Sequence, residues 1–160
     1  MKPRIEIISE KKLVGHNLEM SLVNNKTIEL FSGFMPQKKH ISNILSSDVF
    51  EVIVYHSNYF QDFNPVINFI KWVTVEVPSF ENNFEGMKQL TLNGGLYAVF
   101  TYKGLAKDFG VFMQSVFTQW LPQSEYVLDD RPHFNVLGEA YKNNHPVSEE
   151  DVYIPITTKA

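Results

Sequence analysis

A carboxylate and an indole ring stand on the same strand-like segment of this sequence. Between residues 72 and 77, valines alternate with other residue types, which places Trp72 and Glu76 on one face of a β-strand. This pairing suits an organic cation, because the ring adds a cation–π attraction of about 0.5–2 kcal/mol and the cation favours the charged carboxylate. A solvent-facing strand edge is the alternative, and the residues leave both open.

Tyr153 is a second candidate, near the C-terminus. When the two halves of the chain are aligned, the Val-Pro at 77–78 matches the Ile-Pro at 154–155, which sets Tyr153 at the position equivalent to Glu76. A Glu and a Tyr converging from two related strands would either bind a ligand together or act as acid and base on a water molecule. Packing in the core is the alternative role for Tyr153.

Four more side chains complete the candidate ligand-binding set. Tyr97 lies on the strand that enters the second predicted helix, and Trp120 ends the apolar stripe of that helix; each would line a cleft or pack in the core. Asn135 and Glu139 share one face of a strand if no bulge intervenes. No catalytic residue is singled out. The candidate ligand-binding residues are Trp72, Glu76, Tyr97, Trp120, Asn135, Glu139 and Tyr153.

The sequence lacks the patterns of several other kinds of site. It has no cysteine, and its five histidines show no H-x3-H or H-E-x-x-H spacing, so we expect no metal and no cofactor. It has no glycine-rich phosphate loop and no G-x-S-x-G elbow. The net charge of −4 gives no positive field for direct nucleic-acid binding. No segment resembles a signal peptide or a membrane span, so a cytoplasmic protein without a membrane partner is expected.

An internal repeat indicates how these residues are positioned. Residues 30–37 (LFSGFMPQ) match 116–123 (VFTQWLPQ) in type, and 50–53 (FEVI) match 134–137 (FNVL), at a separation near 85 residues. Similarity between unrelated amphipathic elements is the alternative. With 44% hydrophobic and 20% charged residues, 160 residues suffice for one folded domain, 1–160, with repeats at about 1–80 and 85–160.

Each half of the chain predicts strand, helix, strand, strand. In the first half these are 5–14, 27–34, 50–55 and 69–77. In the second, a strand over 88–102 is interrupted by a turn or bulge at 93–95, a helix begins at Lys107 and is stopped by Pro122, and strands follow at 134–140 and 152–156. The acidic run 149–151 is interpreted as a solvated strand entrance. The prediction is an α+β fold: a duplicated β-α-β-β unit forming an antiparallel sheet, with two helices on one face and a cleft on the pseudo-two-fold axis.

Four stretches of the second half carry a family resemblance: YAVFTYKG at 97–104, WLPQSEY at 120–126, RPHF at 131–134 and EEDVYIPI at 149–156. They resemble the GyrI-like small-molecule-binding domains, which also serve as effector-binding domains of multidrug-responsive AraC/MerR-type transcription regulators. The first half is similar only in its helix and in WVTVEVP at 72–78. The resemblance implies a duplicated β-α-β-β unit with a ligand cleft between the copies.

The resemblance also implies a function. It indicates binding of amphipathic, often cationic, aromatic molecules in an aromatic-lined cleft with a buried carboxylate. Where the family often has Phe-Glu, this chain has Phe134-Asn135. An amide cannot neutralise a cation, so Glu139 is the obvious stand-in.

We therefore expect a stand-alone small-molecule-binding domain that senses or sequesters its ligand. Its protein partner is left open. Some family members resemble hydrolases of cyclopropane-containing toxins, so a hydrolase using Glu76 and Tyr153 is the alternative.

Overall fold

The computed structural model describes residues 2–82 and 84–160. Within this part of the chain, strands and helices follow the order that the repeat predicts, with two differences: the first predicted strand is broken after Ile8, and a short strand, Tyr126–Leu128, is added. Their bounds are β1 (Arg4–Ile8), β2 (Lys11–Met20), α1 (Thr27–Phe34), β3 (Val49–Val54), β4 (Phe69–Val77), β5 (Lys88–Leu92), β6 (Gly95–Lys103), α2 (Phe109–Ser115), β7 (Tyr126–Leu128), β8 (His133–Leu137) and β9 (Glu149–Thr158).

Both helices continue beyond their regular turns. A 3₁₀ segment, Met35–His40, follows α1, while α2 widens into a π turn, Val116–Trp120, and ends with Leu121–Gln123. The prediction that Pro122 stops the second helix was therefore wrong by one residue. Pro122 lies at the start of the final turn, where its missing N–H costs little.

The strands pair antiparallel in the order β1-β6-β9-β8-β3-β4-β2-β5, and β7 pairs with β9. The duplicated β-α-β-β unit and the antiparallel sheet are confirmed. Three strands differ from their predicted bounds by more than one residue: β2 extends to Met20, β8 ends at Leu137, and β9 extends over Glu149–Thr158. The acidic run at 149–151 is therefore part of a strand and is half-buried, which corrects its interpretation as a solvated entrance.

The two ends of this strand order meet in one ribbon. Arg4 pairs with Val99 in β1–β6, and Lys11 pairs with Leu92 in β2–β5, so both strand pairs keep the same register. The interruption at 93–95 is accordingly a bend in one long strand. A side chain at Gly94 would collide with the carbonyl oxygen of Ile8 across the ribbon, which explains the glycine at the bend.

The sheet curls around a central apolar cluster. Neighbouring strands are about 4.8 Å apart, so a flat sheet would hold its outer strands too far apart to share one cluster. Buried side chains from six different strands nevertheless form a single inner cluster. We call the sheet surface that faces this cluster the inner face. Members of the cluster include Leu13, Val52, Trp72, Tyr97 and Phe134.

Both helices pack on the opposite surface, which we call the helix-side face. Phe34 of α1 belongs to a cluster with Val14 and Val73, whereas the turn after α2 places Val116 against Phe100. The predicted placement of two helices on one face is confirmed. Among the described residues, no helix is long and apolar enough to span a membrane.

Candidate ligand-binding seam between the two helices

The strand pair β3–β8 joins the two copies of the repeat, and we call its helix-side surface the seam. Glu51 lies directly opposite Asn135 in this pair. Opposite residues of an antiparallel pair point to the same face. The pair two positions along, Val49 and Leu137, points to the same face and belongs to the cluster packed against α1. Glu51 and Asn135 therefore lie on the helix-side face, at the centre of the duplicated fold.

The carboxylate of Glu51 has two polar neighbours at the seam. The Asn135 side-chain amide donates a hydrogen bond to Glu51 Oε1 at 3.2 Å, and the Lys71 ammonium lies 3.9 Å from Glu51 Oε2. The same ammonium donates to Thr27 Oγ1 at 2.9 Å, at the first residue of α1. The side chains of Glu51 and Lys71 are only 14% and 15% exposed, so water screens this ion pair weakly.

A second carboxylate, Glu150 of β9, belongs to the same electrostatic group. Burial raises its pKa from the ordinary 4.5 to about 7; the negative charge of Glu51 raises it further, and the positive charge of Lys71 opposes both. Tyr141 also has a raised pKa, because of burial first and then the charges of Glu150 and Glu51. The ammonium of Lys71 is thus paired with Glu51 and also acts electrostatically on Glu150, and the group is net negative when Glu150 is ionised.

Aromatic rings cover one end of the seam. Phe60, from the loop after β3, lies with its ring centroid 5.2 Å from that of Phe117, 4.8 Å from that of Tyr55, and 5.4 Å from that of His133, on which it stacks. Phe60 is 40% exposed. Burial, with a smaller effect from Arg131, lowers the pKa of His133 to about 3, so its imidazole is neutral at pH 7.

A small pocket opens at this aromatic end. Its volume is about 120 Å³, and Tyr55, Phe60, His133 and the acidic Asp129 and Asp130 are among its lining residues. Sites for drug-sized ligands occupy about 300–1,000 Å³, so such a ligand would enter the seam only if the Phe60 loop moved. Among the residues that the structure describes, no cluster of three or more His, Asp or Glu is arranged to hold a metal ion.

The seven candidate residues from the sequence lie in different places, and Asn135 is the one at the seam. Three of the others are in the inner cluster or packed against it. The ring of Tyr153 stacks on Phe134 with centroids 4.3 Å apart, and Tyr97 meets Phe134 edge-on at 5.2 Å. Trp72 is 9% exposed. These aromatic side chains fill the interior of the curled sheet, on the opposite side from the helices.

The remaining three candidates are dispersed. Glu76 lies on the same sheet face as Trp72, as predicted, with its carboxylate 3.7 Å from the ammonium of Lys11. Trp120 packs edge-on against Phe100 beneath α2, with ring centroids 5.2 Å apart. Glu139 follows the end of β8 in an exposed turn. The structure thus does not bring these three together.

Sequence reasoning missed the three charged residues of the seam. The repeat aligns FEVI with FNVL, so it already marked Glu51 as the equivalent of Asn135. Strand alternation would have placed Lys71 on the face of the buried valines, and Glu150 on the face of Val152. The repeat and the strand alternation thus both contained a signal for these residues. The valine face of Lys71 reads as core, and the acidic run that contains Glu150 reads as solvent-exposed.

Comparison with known proteins identifies the family to which this chain belongs. The family model of the GyrI-like small molecule binding domain matches residues 1–157. The chain belongs to this family and is a GyrI-like small-molecule-binding domain, which confirms the resemblance seen in the sequence. No curated protein matches the chain.

Several solved structures share the fold at low sequence identity. SAV2435 bound to tetraphenylphosphonium is similar with a TM-score of 0.64 and 11% identity, over 98% of this chain and 94% of that one. The EcmrR C-terminal domain gives 0.72 and 10%, over 99% and 98%. A hydrolase encoded by lin2189 from Listeria innocua gives 0.61 and 11%, over 98% and 92%. At such identities the likeness shows the fold alone.

Proposed function

We propose that the chain binds amphipathic aromatic cations at the seam, and that residues 1–160 act as one small-molecule-binding domain in sensing or sequestration. The observation that carries this proposal is the charge balance at the seam. Two carboxylates, Glu51 and Glu150, share one ammonium, Lys71, in a weakly hydrated place beside aromatic rings. No direct contact with nucleic acid and no membrane partner is part of the proposal.

The energetics favour an incoming positive charge. The raised pKa of Glu150 means that its ionised form is poorly compensated in the free protein. A cation near Glu150 would stabilise this ionised form, and so lower its pKa again. The rings of Phe60 and Phe117 would add cation–π attraction of about 0.5–2 kcal/mol each.

The solved structure of SAV2435 supports the class of ligand. That protein is bound to tetraphenylphosphonium, a cation whose charge is surrounded by phenyl rings. The same combination of one positive charge with a large aromatic surface suits carboxylates placed next to aromatic side chains. We therefore take tetraphenylphosphonium as the probe for this chain.

Calorimetric titration with two probes of the same shape tests the proposal. Tetraphenylphosphonium should bind, while the anion tetraphenylborate should not. Glu51→Gln, which keeps an acceptor for Asn135 but removes the charge, should weaken cation binding by about tenfold or more. Glu29→Gln, on the exposed surface of α1, is the matched control and should change nothing. Equal binding of both probes, or indifference to Glu51→Gln, would reject the seam as a cation site.

A hydrolase is the second candidate, favoured by one observation at the seam. Glu150, with a pKa of about 7, lies near enough to Tyr141 to raise the pKa of its hydroxyl, and a carboxyl group that titrates near neutrality suits general acid–base work. The hydrolase from Listeria innocua shares the fold. In contrast, Glu76 is paired with Lys11, and Tyr153 is stacked on Phe134.

Incubation with a strained cyclopropane electrophile, followed by mass spectrometry, tests this second candidate. Turnover that Glu150→Gln abolishes, with tetraphenylphosphonium binding retained, would support hydrolysis at the seam. Turnover that only Tyr153→Phe abolishes would move the chemistry to the inner face. Absence of turnover in the unmodified protein leaves binding as the function.

A further inference from the structure

Lys71 is held at the seam by contacts from two directions. Its backbone belongs to β4, and its ammonium reaches the carboxylate of Glu51 at 3.9 Å and the hydroxyl of Thr27 on α1 at 2.9 Å. With 15% of its side chain exposed, it is far more enclosed than an ordinary surface lysine. The ammonium thus lies beside the same carboxylate that a ligand cation would approach.

A lysine in this place differs in effect from one on the surface. The ammonium is a compact cation on a flexible chain, so it can leave a partner without any movement of the backbone. The positive charge of Lys71 also acts on Glu150: it lowers the pKa of Glu150, which burial and the charge of Glu51 raise. A second carboxylate is therefore available to an ammonium that leaves Glu51.

We propose that Lys71 is a specificity-determining residue that acts as an internal competitor: its ammonium occupies the cation position beside Glu51, and a ligand must displace it. This inference rests on the proposed function. The displaced ammonium turns towards Glu150 while the ligand charge takes its place at Glu51. Only ligands whose aromatic surface adds enough binding energy overcome this competition, so small inorganic or alkylammonium cations are rejected.

The side chains around Lys71 are consistent with such an exchange. Asn135 from β8 fixes Glu51 through the 3.2 Å hydrogen bond, so the carboxylate stays in place when the ammonium leaves. Thr27 Oγ1 also donates to Asn25 Oδ1 at 2.6 Å, so the hydroxyl keeps a partner without the lysine. Thus neither Glu51 nor Thr27 loses all of its hydrogen bonding during the exchange.

Calorimetry with Lys71→Met tests the inference. At pH 8, Lys71→Met should bind tetraphenylphosphonium roughly tenfold more tightly than the unmodified protein, since a positive charge within a few ångströms of the ligand charge has been removed. The pH matters because Lys71 lowers the pKa of Glu150, so without Lys71 this carboxyl group holds its proton to higher pH. Lys71→Arg keeps the charge and should leave affinity within about twofold.

The chain offers a matched control for the loss of a lysine. Lys103 also lies 3.9 Å from a carboxylate, that of Glu149, but both side chains are exposed, at 59% and 42%. Lys103→Met removes the same charge from the whole molecule and should leave cation affinity unchanged. Thermal melting of each variant checks the fold, and Lys71→Gln serves if Lys71→Met does not fold.

The outcomes separate this inference from the proposed function. Tighter binding by Lys71→Met than by the unmodified protein supports internal competition. If the unmodified protein binds the cation and Lys71→Met binds it equally or more weakly, the competitor role is wrong and the proposed function stands. If neither protein binds the cation at pH 8, the proposed function fails and this inference with it. If Lys103→Met gains as much affinity for the cation as Lys71→Met, the change in net charge alone explains the gain, and the inference is overturned.

Discussion

Glu51 and Asn135 occupy equivalent positions in the two repeats and face each other across the seam, joined by a hydrogen bond of 3.2 Å. A nearly symmetric fold therefore contains an asymmetric pair, one member charged and the other a neutral donor. Two carboxylates at this distance would compete for one proton, because like charges so close cannot both remain ionised. The amide of Asn135 instead keeps Glu51 hydrogen-bonded and leaves its negative charge available.

Glu150 should make the stability of the protein depend on pH. The unfolded carboxyl group releases its proton near pH 4.5, whereas the folded one holds it up to about pH 7. Between these values the folded state binds more protons, so the free energy of unfolding falls as pH rises, by at most about 3 kcal/mol. Urea denaturation at pH 5 and pH 7.5 should show a drop that is largely absent in Glu150→Gln. An equal drop in both proteins would contradict this prediction.

His133 should have the opposite effect at lower pH. Its unfolded imidazole takes up a proton near pH 6.5, whereas the buried one stays neutral down to about pH 3. The unfolded state binds more protons in this window, so acidification lowers the free energy of unfolding, by up to about 5 kcal/mol. His133→Phe should retain the stacking on Phe60 and lose less stability between pH 6.5 and 4. We would compare the two proteins by urea denaturation across that range.

Phe60 should contribute to ligand binding more than a second phenylalanine of the same loop. Its ring contacts aromatic groups on β8 and on the π turn after α2, whereas Phe63 is 80% exposed. Phe60→Ala removes one aromatic wall, and we expect tetraphenylphosphonium affinity to fall by about 0.5–2 kcal/mol. Phe63→Ala is the matched control and should bind as the unmodified protein does. Similar losses in both variants would place the ligand elsewhere or implicate the loop as a whole.

Tyr153 should matter for stability and not for cation binding at the seam. Its ring stacks on Phe134 in contact with the inner cluster, so Tyr153→Ala should lower the free energy of unfolding by about 2–4 kcal/mol. Tyr153→Phe keeps the stacked ring and should be nearly neutral in both stability and affinity. Denaturation and calorimetry on the same samples separate the two effects. Weaker binding by Tyr153→Phe would point to a ligand on the inner face.

The repeat allowed much of the fold to be predicted. It indicated the equivalence of β3 and β8, and alternation over 69–77 correctly separated the valine face from the face of Trp72 and Glu76. Neither the repeat nor the alternation predicts that the sheet curls. Because alternation only divides residues between two faces, it cannot tell which face closes on a core and which lies between helices. Alternation alone therefore does not distinguish Glu76, on the inner face, from Lys71, on the helix-side face, as a candidate for a ligand site.

Other differences arise from contacts between distant parts of the chain. The approach of Lys71 to Thr27 depends on where α1 lies on the sheet, which local periodicity does not specify. The three-residue strand β7 is too short to show alternation, and it is defined by its pairing with β9. In the same way, the half-burial of Glu150 follows from the seam beside it and not from its acidic neighbours in sequence.

In the ribbon formed by β1–β2 and β5–β6, the two copies of the repeat exchange strands within one molecule. The first strand of each repeat divides its pairing between the two copies, since β1 pairs with β6 and β5 pairs with β2. A polypeptide containing one copy alone would expose these edges and would need a second copy to complete them, as in a swapped dimer. We therefore expect that a chain cut in the loop between the copies stays associated as two fragments and loses its structure in one concerted transition.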